Sequence, residues 1–232
     1  MKRLDRLLSE AGVCTRSEAS GLLKSGRVTV NGVVVRAGAE KVEESARIAL
    51  DGTPIRTGSV TLLMYKPAGV ISATRDETER TVLDILPPPW RGRALFPVGR
   101  LDKETEGLLL LTEDGALAHA LTSPRHEVKK VYLARTDGIA DEEDAAAFAA
   151  GITLRDGTLC RPAELEVTGT EWCRVTLTEG RYHQVRRMLA ARGKPVVYLR
   201  RERESFLTLE GLAPGEVREL TARELSRLRG EL

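Results

Sequence analysis

The sequence predicts an α+β protein in two parts, a small N-terminal domain of two helices and a small sheet, followed by a larger domain. Helix-spaced leucines and an Asn-Gly turn between alternating valines indicate the first part. Short apolar runs, separated by turn residues and amphipathic stretches, indicate the second. We place the boundary in a segment rich in charge and glycine, so that the domains cover residues 1–58 and 59–232.

The composition indicates a cytoplasmic protein with a packed core. Hydrophobic residues make up 41% of the 232 residues, and no apolar stretch approaches the length of a membrane span. Cys14, Cys160 and Cys173 are odd in number and lack the spacing of a disulfide framework or a zinc site. Because the net charge is only +2, any binding of nucleic acid must depend on where basic residues cluster.

The first domain is predicted to contain two helices and a hairpin. One helical face is formed by Leu4, Leu7, Leu8 and Ala11. A second helix is expected to open at Ser17 and to end at Gly26. Asn31-Gly32, between alternating valines, is a strong short-range signal for a β-hairpin.

Basic residues lie on the polar sides of these helices and at the start of the hairpin. Five of them are candidate RNA-binding residues: Arg3, Arg6, Arg16, Lys24 and Arg27. The alternative is that they only solvate a small helical surface, as most charges on short helices do.

The larger domain is predicted to alternate strands and short helices around one central strand. Strands are expected near residues 60–65, 127–134, 163–167 and 173–177, and helices near 116–121 and 141–150. Four consecutive leucines, Leu108 to Leu111, form an apolar run that is typical of a buried strand. Asp102 precedes this run beside Arg100, in a loop that enters a rigid element. It is therefore a candidate acid, base or nucleophile, or alternatively a turn cap paired with Arg100.

A basic segment lies near the C-terminal end of this domain. Residues 181–203 hold eight Lys or Arg and one Glu. On a helix over 183–192, Val185, Met188 and Leu189 share the buried face, and Arg186 and Arg187 lie beside it. Clustering of this density favours a surface that faces phosphates, although the arginines can also serve only to solubilise the helix.

Residues 1–48 closely resemble the S4 RNA-binding domain. The resemblance rests on the stretch RLDRLLSEAGVCTRSEASGLLKSGRVTVNG, including the Arg16-Ser17 start of the second helix and the GRVTVNG hairpin. It implies a domain that lays basic helical residues against folded RNA, where contacts to phosphate and shape position the protein.

The rest of the chain resembles the pseudouridine synthases through three motifs. They are GRLDKETEGLLLLTEDG at 99–115, KVY at 130–132 and EGRYHQVRRM at 179–188. With the S4-like domain, the third motif is most similar to the RsuA-type branch, which acts on small-subunit ribosomal RNA. The resemblance implies a mixed, mostly antiparallel sheet with helices packed on it and a cleft across its middle.

The resemblance also implies roles for individual residues. Asp102 matches the essential aspartate, Tyr132 the active-site tyrosine, and Arg186 the basic residue paired with the aspartate. By its pattern alone, Tyr132 is more typical of a packed aromatic residue. Further residues expected to contact substrate or RNA are Arg100, Lys130, His183, Gln184, Arg187 and Leu207. Leu207 matches an apolar pocket residue, but relatives commonly have Arg-Ile-Gly where this chain has Arg203-Glu204-Ser205-Phe206.

The implied reaction isomerises a uridine in ribosomal RNA, most closely the 16S RNA, and needs no metal or cofactor. Asp102 would either bond to the sugar carbon or remove a sugar proton to form a glycal. Two alternatives remain open: an enzyme for 23S RNA, and an assembly factor that binds ribosomal RNA without catalysis. We expect a monomer, since both domains bury their own apolar faces.

Overall fold

The structure, a computed structural model, describes residues 1–43, 46–88 and 90–232. The chain forms two compact units, Met1–Val60 with Leu86–Phe96, and Thr61–Ile85 with Pro97–Leu232. Leu86–Phe96 thus joins the first unit, although the prediction assumed two continuous segments. A close backbone approach accounts for this, because a Cβ on Gly12 would lie 3.0 Å from backbone atoms of residues 91–93. The functional division at residue 58 stays a prediction.

The first unit contains two helices and short strands. Its elements are β1 (Lys2–Arg3), α1 (Leu4–Glu10), α2 (Arg16–Lys24), β2 (Val28–Val30), β3 (Val33–Val34), β4 (Lys41–Val42), β5 (Ile48–Leu50) and β6 (Thr53–Ile55). The strands pair in the order β3-β2-β5-β6, and β1 pairs with β4. The predicted apolar face of α1 is confirmed, since Leu4, Leu7 and Leu8 are buried in the core of this unit.

Two local signals in the first unit act through backbone geometry. Asn31 and Gly32 have φ values of 51° and 83°, so they form the predicted turn between β2 and β3. The second helix begins at Arg16 rather than Ser17. Thr15 is its cap, because the Thr15 hydroxyl accepts a hydrogen bond from the Glu18 amide and the Glu18 carboxylate accepts one from the Thr15 amide.

The second unit is built on a large sheet. Its strands are β7 (Thr61–Lys66), β8 (Phe96–Pro97), β9 (Glu106–Thr112), β10 (Lys130–Thr136), β11 (Glu164–Gly169), β12 (Trp172–Leu177), β13 (Val196–Glu204), β14 (Leu207–Thr208) and β15 (Val217–Glu219). Its helices are α3 (Gly115–Thr122), α4 (Glu142–Ala150), α5 (Gln184–Ala191) and α6 (Ala222–Gly230).

The sheet has the mixed, mostly antiparallel character that was predicted. The strand order is β11-β12-β10-β13-β9-β7-β15, with β14 paired to β13 and β8 to β9. Along this order β9 and β13 pair in parallel and the other neighbours are antiparallel. The fold class is therefore confirmed as α+β. Within the described residues, no helix is both long and apolar enough to cross a membrane.

Strand β9 is the central strand that the four leucines predict. Leu108 to Leu111 are all 0% exposed, and the strand lies between β7 and β13. Gly107, the second residue of β9, has φ 116°, and a Cβ at this position would lie 2.3 Å from the Arg201 carbonyl oxygen. The close approach of β9 and β13 therefore requires glycine at this position.

Candidate active site

The backbone of the loop that carries Asp102 is held by hydrogen bonds on both sides of this residue. The Ser72 hydroxyl donates to the Leu101 carbonyl at 2.9 Å and accepts from the Leu101 amide at 3.0 Å. The Thr105 amide donates to the Asp102 carbonyl at 3.0 Å, which closes a turn ahead of β9. The carboxylate is thus presented from a loop with a defined conformation.

A buried lysine also holds this loop through hydrogen bonds to its backbone carbonyl groups. Lys66 Nζ donates to the carbonyl oxygens of Pro67, Lys103 and Thr105 at 3.0, 3.2 and 2.8 Å. Burial lowers the pKa of Lys66 to about 8, against the opposing effect of Asp102 and other nearby carboxylates. An ammonium group supplies three donors, so its charged form satisfies all three carbonyls.

The Asp102 carboxylate lies between two basic side chains of the third motif. His183 Nε2 is 3.2 Å from Asp102 Oδ1, and Arg186 Nε is 3.8 Å from Asp102 Oδ2. The Asp102 side chain is 31% exposed, so it remains accessible. The structure therefore brings together Asp102 and Arg186, which are far apart in the chain.

Helix α5 fixes both basic side chains. Arg186 also donates to Thr105 Oγ1 at 3.3 Å and to the Val196 carbonyl at 3.4 Å, which limits its freedom to turn away. His183 precedes the helix in a left-handed conformation, with φ 49° and ψ 34°. The helix consequently begins one residue after the predicted start, because His183 leaves the helical path to face Asp102.

Asp102 lines a cavity of about 440 Å³. The apolar part of its wall includes Leu177, Val185 and Leu199. Predicted site residues in the lining are Arg100, Asp102, Lys130, Tyr132, His183 and Gln184. Among the buried polar lining residues that were not predicted as site residues are Arg201 and Glu204. This volume and mixture of apolar and polar walls suit a small group that has both apolar and polar parts.

Tyr132, Arg201 and Glu204 form a buried polar cluster in the cavity wall. Arg201 is 2% exposed, donates through Nε to the Leu108 carbonyl at 2.7 Å, and places Nη2 3.3 Å from Glu204 Oε2. Burial raises the pKa of Tyr132, while the Arg201 guanidinium opposes this shift. The sequence contains one signal for this ion pair, which is the presence of opposite charges three residues apart in a strand-like segment. It does not show which of several adjacent charged side chains are buried.

The other predicted residues of the second unit do not all line the cavity. Burial lowers the pKa of Lys130, which lines the cavity beside the buried cluster. Gln184 is held by its amide, which donates to Glu179 Oε1 at 2.5 Å. Neither Arg186 nor Arg187 is a lining residue: Arg186 reaches the site through its contact with Asp102, and Arg187 pairs with Asp156. Leu207 is buried in β14 opposite Glu204 and is not a lining residue.

Most of the predicted RNA-binding residues of the first unit are held by ion pairs inside that unit. Four are held in ion pairs within that unit: Arg3 and Arg16 with Asp5, Arg6 with Glu10, and Arg27 with Asp51. Lys24 is exposed, and the described residues give its side chain no ion pair.

Comparison with known families identifies the chain. Residues 60–191, more than half of the chain, match the family described as RNA pseudouridylate synthase, and residues 2–48 match the S4 domain. The chain belongs to the RNA pseudouridylate synthase family. Members of this family are isomerases, so the protein is an RNA pseudouridine synthase with an N-terminal S4 domain.

Relatives that match over nearly the full length include enzymes named for either ribosomal subunit. Ribosomal large subunit pseudouridine synthase B of Bacillus subtilis (strain 168) is 41% identical over 236 residues, covering 99% of this chain and 96% of the relative. Ribosomal small subunit pseudouridine synthase A of Escherichia coli (strain K12) is 40% identical over 230 residues, covering 97% and 98%. A crystal structure of a pseudouridylate synthase superposes with a TM-score of 0.69 at 34% identity, over 98% of this chain and 100% of that one.

Proposed function

We propose that this pseudouridine synthase isomerises a uridine of small-subunit ribosomal RNA, with Asp102 as the catalytic carboxylate. The observation that carries the proposal is the position of Asp102 in the cavity, between His183 Nε2 at 3.2 Å and Arg186 Nε at 3.8 Å. The S4 domain binds RNA, and the target uridine is everted from its stack into the cavity. Eversion costs a few kcal/mol, which backbone contacts offset.

The reaction conserves all atoms of the nucleotide. The bond from the sugar C1′ to the uracil N1 breaks, the base turns, a bond forms from C1′ to C5, C5 loses a proton and N1 gains one. Cleavage leaves the sugar electron-deficient at C1′, and a carboxylate beside C1′ can stabilise this charge. Asp102 either bonds to C1′ or removes a proton from the sugar, and both routes use its ionised form.

Neighbouring residues have roles that follow from their contacts. The Arg186 guanidinium lies beside the Asp102 carboxylate and orients it. Tyr132 provides an aromatic face for the uracil, and its phenol lies within a buried polar cluster that can accompany proton movement.

Replacement of Asp102 by Asn tests the catalytic assignment. Release of tritium from RNA labelled at uridine C5 measures the reaction directly, because C5 loses its hydrogen. We expect Asp102→Asn to lower this rate by at least about 10³-fold, with RNA affinity near that of the wild type. Isomerisation that persists in the variant would show that another group is the catalyst.

Large-subunit RNA is the second candidate substrate, because a relative named for that subunit is as similar as those named for the small subunit. Mapping pseudouridine in both RNAs, from a strain that lacks this protein, separates the two. A site missing from the small-subunit RNA supports the proposal, and one missing from the large-subunit RNA reassigns the substrate. Wild-type protein that binds ribosomal RNA but isomerises neither would be a non-catalytic assembly factor.

A further inference from the structure

Tyr182 is a large aromatic residue that the reaction described above leaves without a role. Its side chain is 74% exposed, more than any other large apolar side chain of the described residues. Isolated apolar residues on a surface need no explanation by themselves. Here, however, the ring adjoins the proposed active site and is held in one orientation.

The ring of Tyr182 is stacked on that of His183. The two ring centroids are 3.8 Å apart and the planes are inclined by 18°. His183 is itself fixed by its left-handed backbone and by the 3.2 Å contact of Nε2 with Asp102. The stack therefore covers one face of the Tyr182 ring and leaves the other face open to solvent.

The position of the open face excludes the target uridine as its partner. His183 lines the cavity, whereas Tyr182 does not, so the His183 ring separates a base in the cavity from the open face. The 3.8 Å spacing of the two rings is close to the ~3.4 Å spacing of stacked bases. A further flat ring can therefore extend the stack outside the cavity.

The surroundings of the ring favour a nucleotide over an apolar partner. Arg181 precedes Tyr182 and is 45% exposed in its side chain. Arg187 donates from Nη1 to the Tyr182 carbonyl at 3.4 Å and is 31% exposed. An exposed aromatic face near arginines is the combination that binds single-stranded nucleic acid, where bases stack and phosphates meet positive charge.

We propose that the open face of Tyr182 stacks on the base of the nucleotide next to the everted uridine. The inference rests on the proposed function, since it concerns the RNA that enters the Asp102 cavity. Eversion removes a stacking partner from the neighbouring base, and the Tyr182 ring replaces that partner. The residue thus contributes to RNA affinity and to the conformation of the flanking nucleotide.

The test uses a short single-stranded RNA of mixed sequence with one uridine beside 2-aminopurine, whose fluorescence falls when it stacks. Stacking on an aromatic side chain tolerates any base, so this RNA suffices. The full-length wild type is compared with Tyr182→Ala, Tyr182→Leu and Tyr182→Phe. Ile139→Ala is the matched control, because it removes an exposed apolar side chain of the same unit elsewhere.

We expect Tyr182→Ala and Tyr182→Leu to bind this RNA about tenfold or more weakly and to lose the quenching. Tyr182→Phe and Ile139→Ala should behave like the wild type. Absence of quenching with the wild type, or unchanged affinity in Tyr182→Ala, would overturn the inference. Wild-type affinity in Tyr182→Leu would also overturn it, since an apolar contact would then replace ring stacking.

A second measurement separates stacking from positioning of His183. The single-turnover rate at saturating ribosomal RNA should fall much less than the affinity in Tyr182→Ala. A lower rate with unchanged affinity would make Tyr182 a positioning residue for His183 and would refute the stacking role. Because quenching is read without turnover, loss of isomerase activity in the wild type would refute the proposed function alone.

Discussion

The arginines of the first unit and those around Asp102 differ in what holds them. In the first unit, Arg6 pairs with Glu10 on the same helix, at 2.7 Å, and both side chains are at least 40% exposed. In the second unit, Arg201 is buried against the Leu108 carbonyl and Glu204, and Arg186 is only 25% exposed. The first type of pair is solvated, whereas the second lies in or beside a cavity wall.

Under the proposed function, the exposed arginines of the first unit bind RNA, and the arginines around the cavity hold the geometry of the active site. Exposed ion pairs contribute little to stability, so an arginine can exchange a carboxylate for a phosphate at small cost. A buried charge that loses its partner is costly, and so Arg201 and Glu204 hold each other in place. We therefore expect substitutions in the first unit to change affinity and substitutions around the cavity to change stability or turnover.

The largest effect on stability is expected for Arg201→Met. The change leaves Glu204 buried without its partner, which costs about 3–5 kcal/mol in free energy of unfolding. Arg201→Met with Glu204→Leu removes both charges and should recover most of that loss. Urea denaturation followed by Trp172 fluorescence, in a Trp90→Phe background, reports the second unit, because Trp90 belongs to the first.

The matched control for this prediction is Arg6→Met, which breaks the exposed pair with Glu10. Followed by Trp90 in a Trp172→Phe background, it should change the free energy of unfolding by less than about 1 kcal/mol. Equal losses in Arg201→Met and Arg6→Met would remove the distinction between buried and exposed arginines.

The next effect concerns turnover. Arg186→Ala should lower the single-turnover rate about 100-fold, because the guanidinium that orients Asp102 is lost, while RNA affinity changes less than about threefold. Arg186→Lys should restore part of the rate, since it returns the charge without the fork of donors. The measurements are tritium release at saturating RNA and equilibrium binding.

Arg187→Ala is the control on the same helix. Arg187 pairs with Asp156, whereas Arg186 contacts Asp102, so loss of Arg187 should weaken RNA binding and leave the rate at saturation close to that of the wild type. If the two substitutions had the same effect, the assignment of Arg186 to the site would fail.

The sequence predicted those parts of the fold in which a local signal acts alone. The leucine spacing of α1, the Asn31-Gly32 turn and the apolar run of β9 depend on periodicity or on backbone conformation, and the structure contains all three. Family motifs predicted that Asp102 and Arg186 would meet, and they do.

The parts that were missed depend on long-range packing. The run Arg200-Arg201-Glu202-Arg203-Glu204 is charged on both faces of β13, so alternation does not indicate that Arg201 and Glu204 point inward. A register shift in the pairing of β13 with β10, where Val131 lies opposite Arg203 and Tyr132 opposite Arg201, interrupts the alternation, so that Arg201 and Glu204 are both buried. The density of basic residues over 181–203 favours a surface that faces phosphates, but Arg201 of this segment is buried.

The smallest effect on chemistry is expected in the first unit. Replacement of Arg3, Arg6 and Arg16 by Ala should weaken RNA binding, and the slope of log affinity against log salt should become shallower by about two units. That value follows because each of the three lost phosphate contacts contributes ~0.7 to the slope for a single strand. Turnover at saturating RNA should change less than affinity, since the contacts to the uridine lie in the second unit.

The opposite change tests whether the local acids restrain these arginines. Asp5 pairs with Arg3 and Arg16, and Glu10 pairs with Arg6. Asp5→Asn with Glu10→Gln frees the three guanidinium groups and removes two negative charges, so it should tighten RNA binding and steepen the salt dependence. Filter-binding titrations at several salt concentrations measure both variants. If the neutralised variant bound no more tightly, and the alanine variant bound like the wild type, the basic face of the S4 domain would be a solvated surface without contact to RNA.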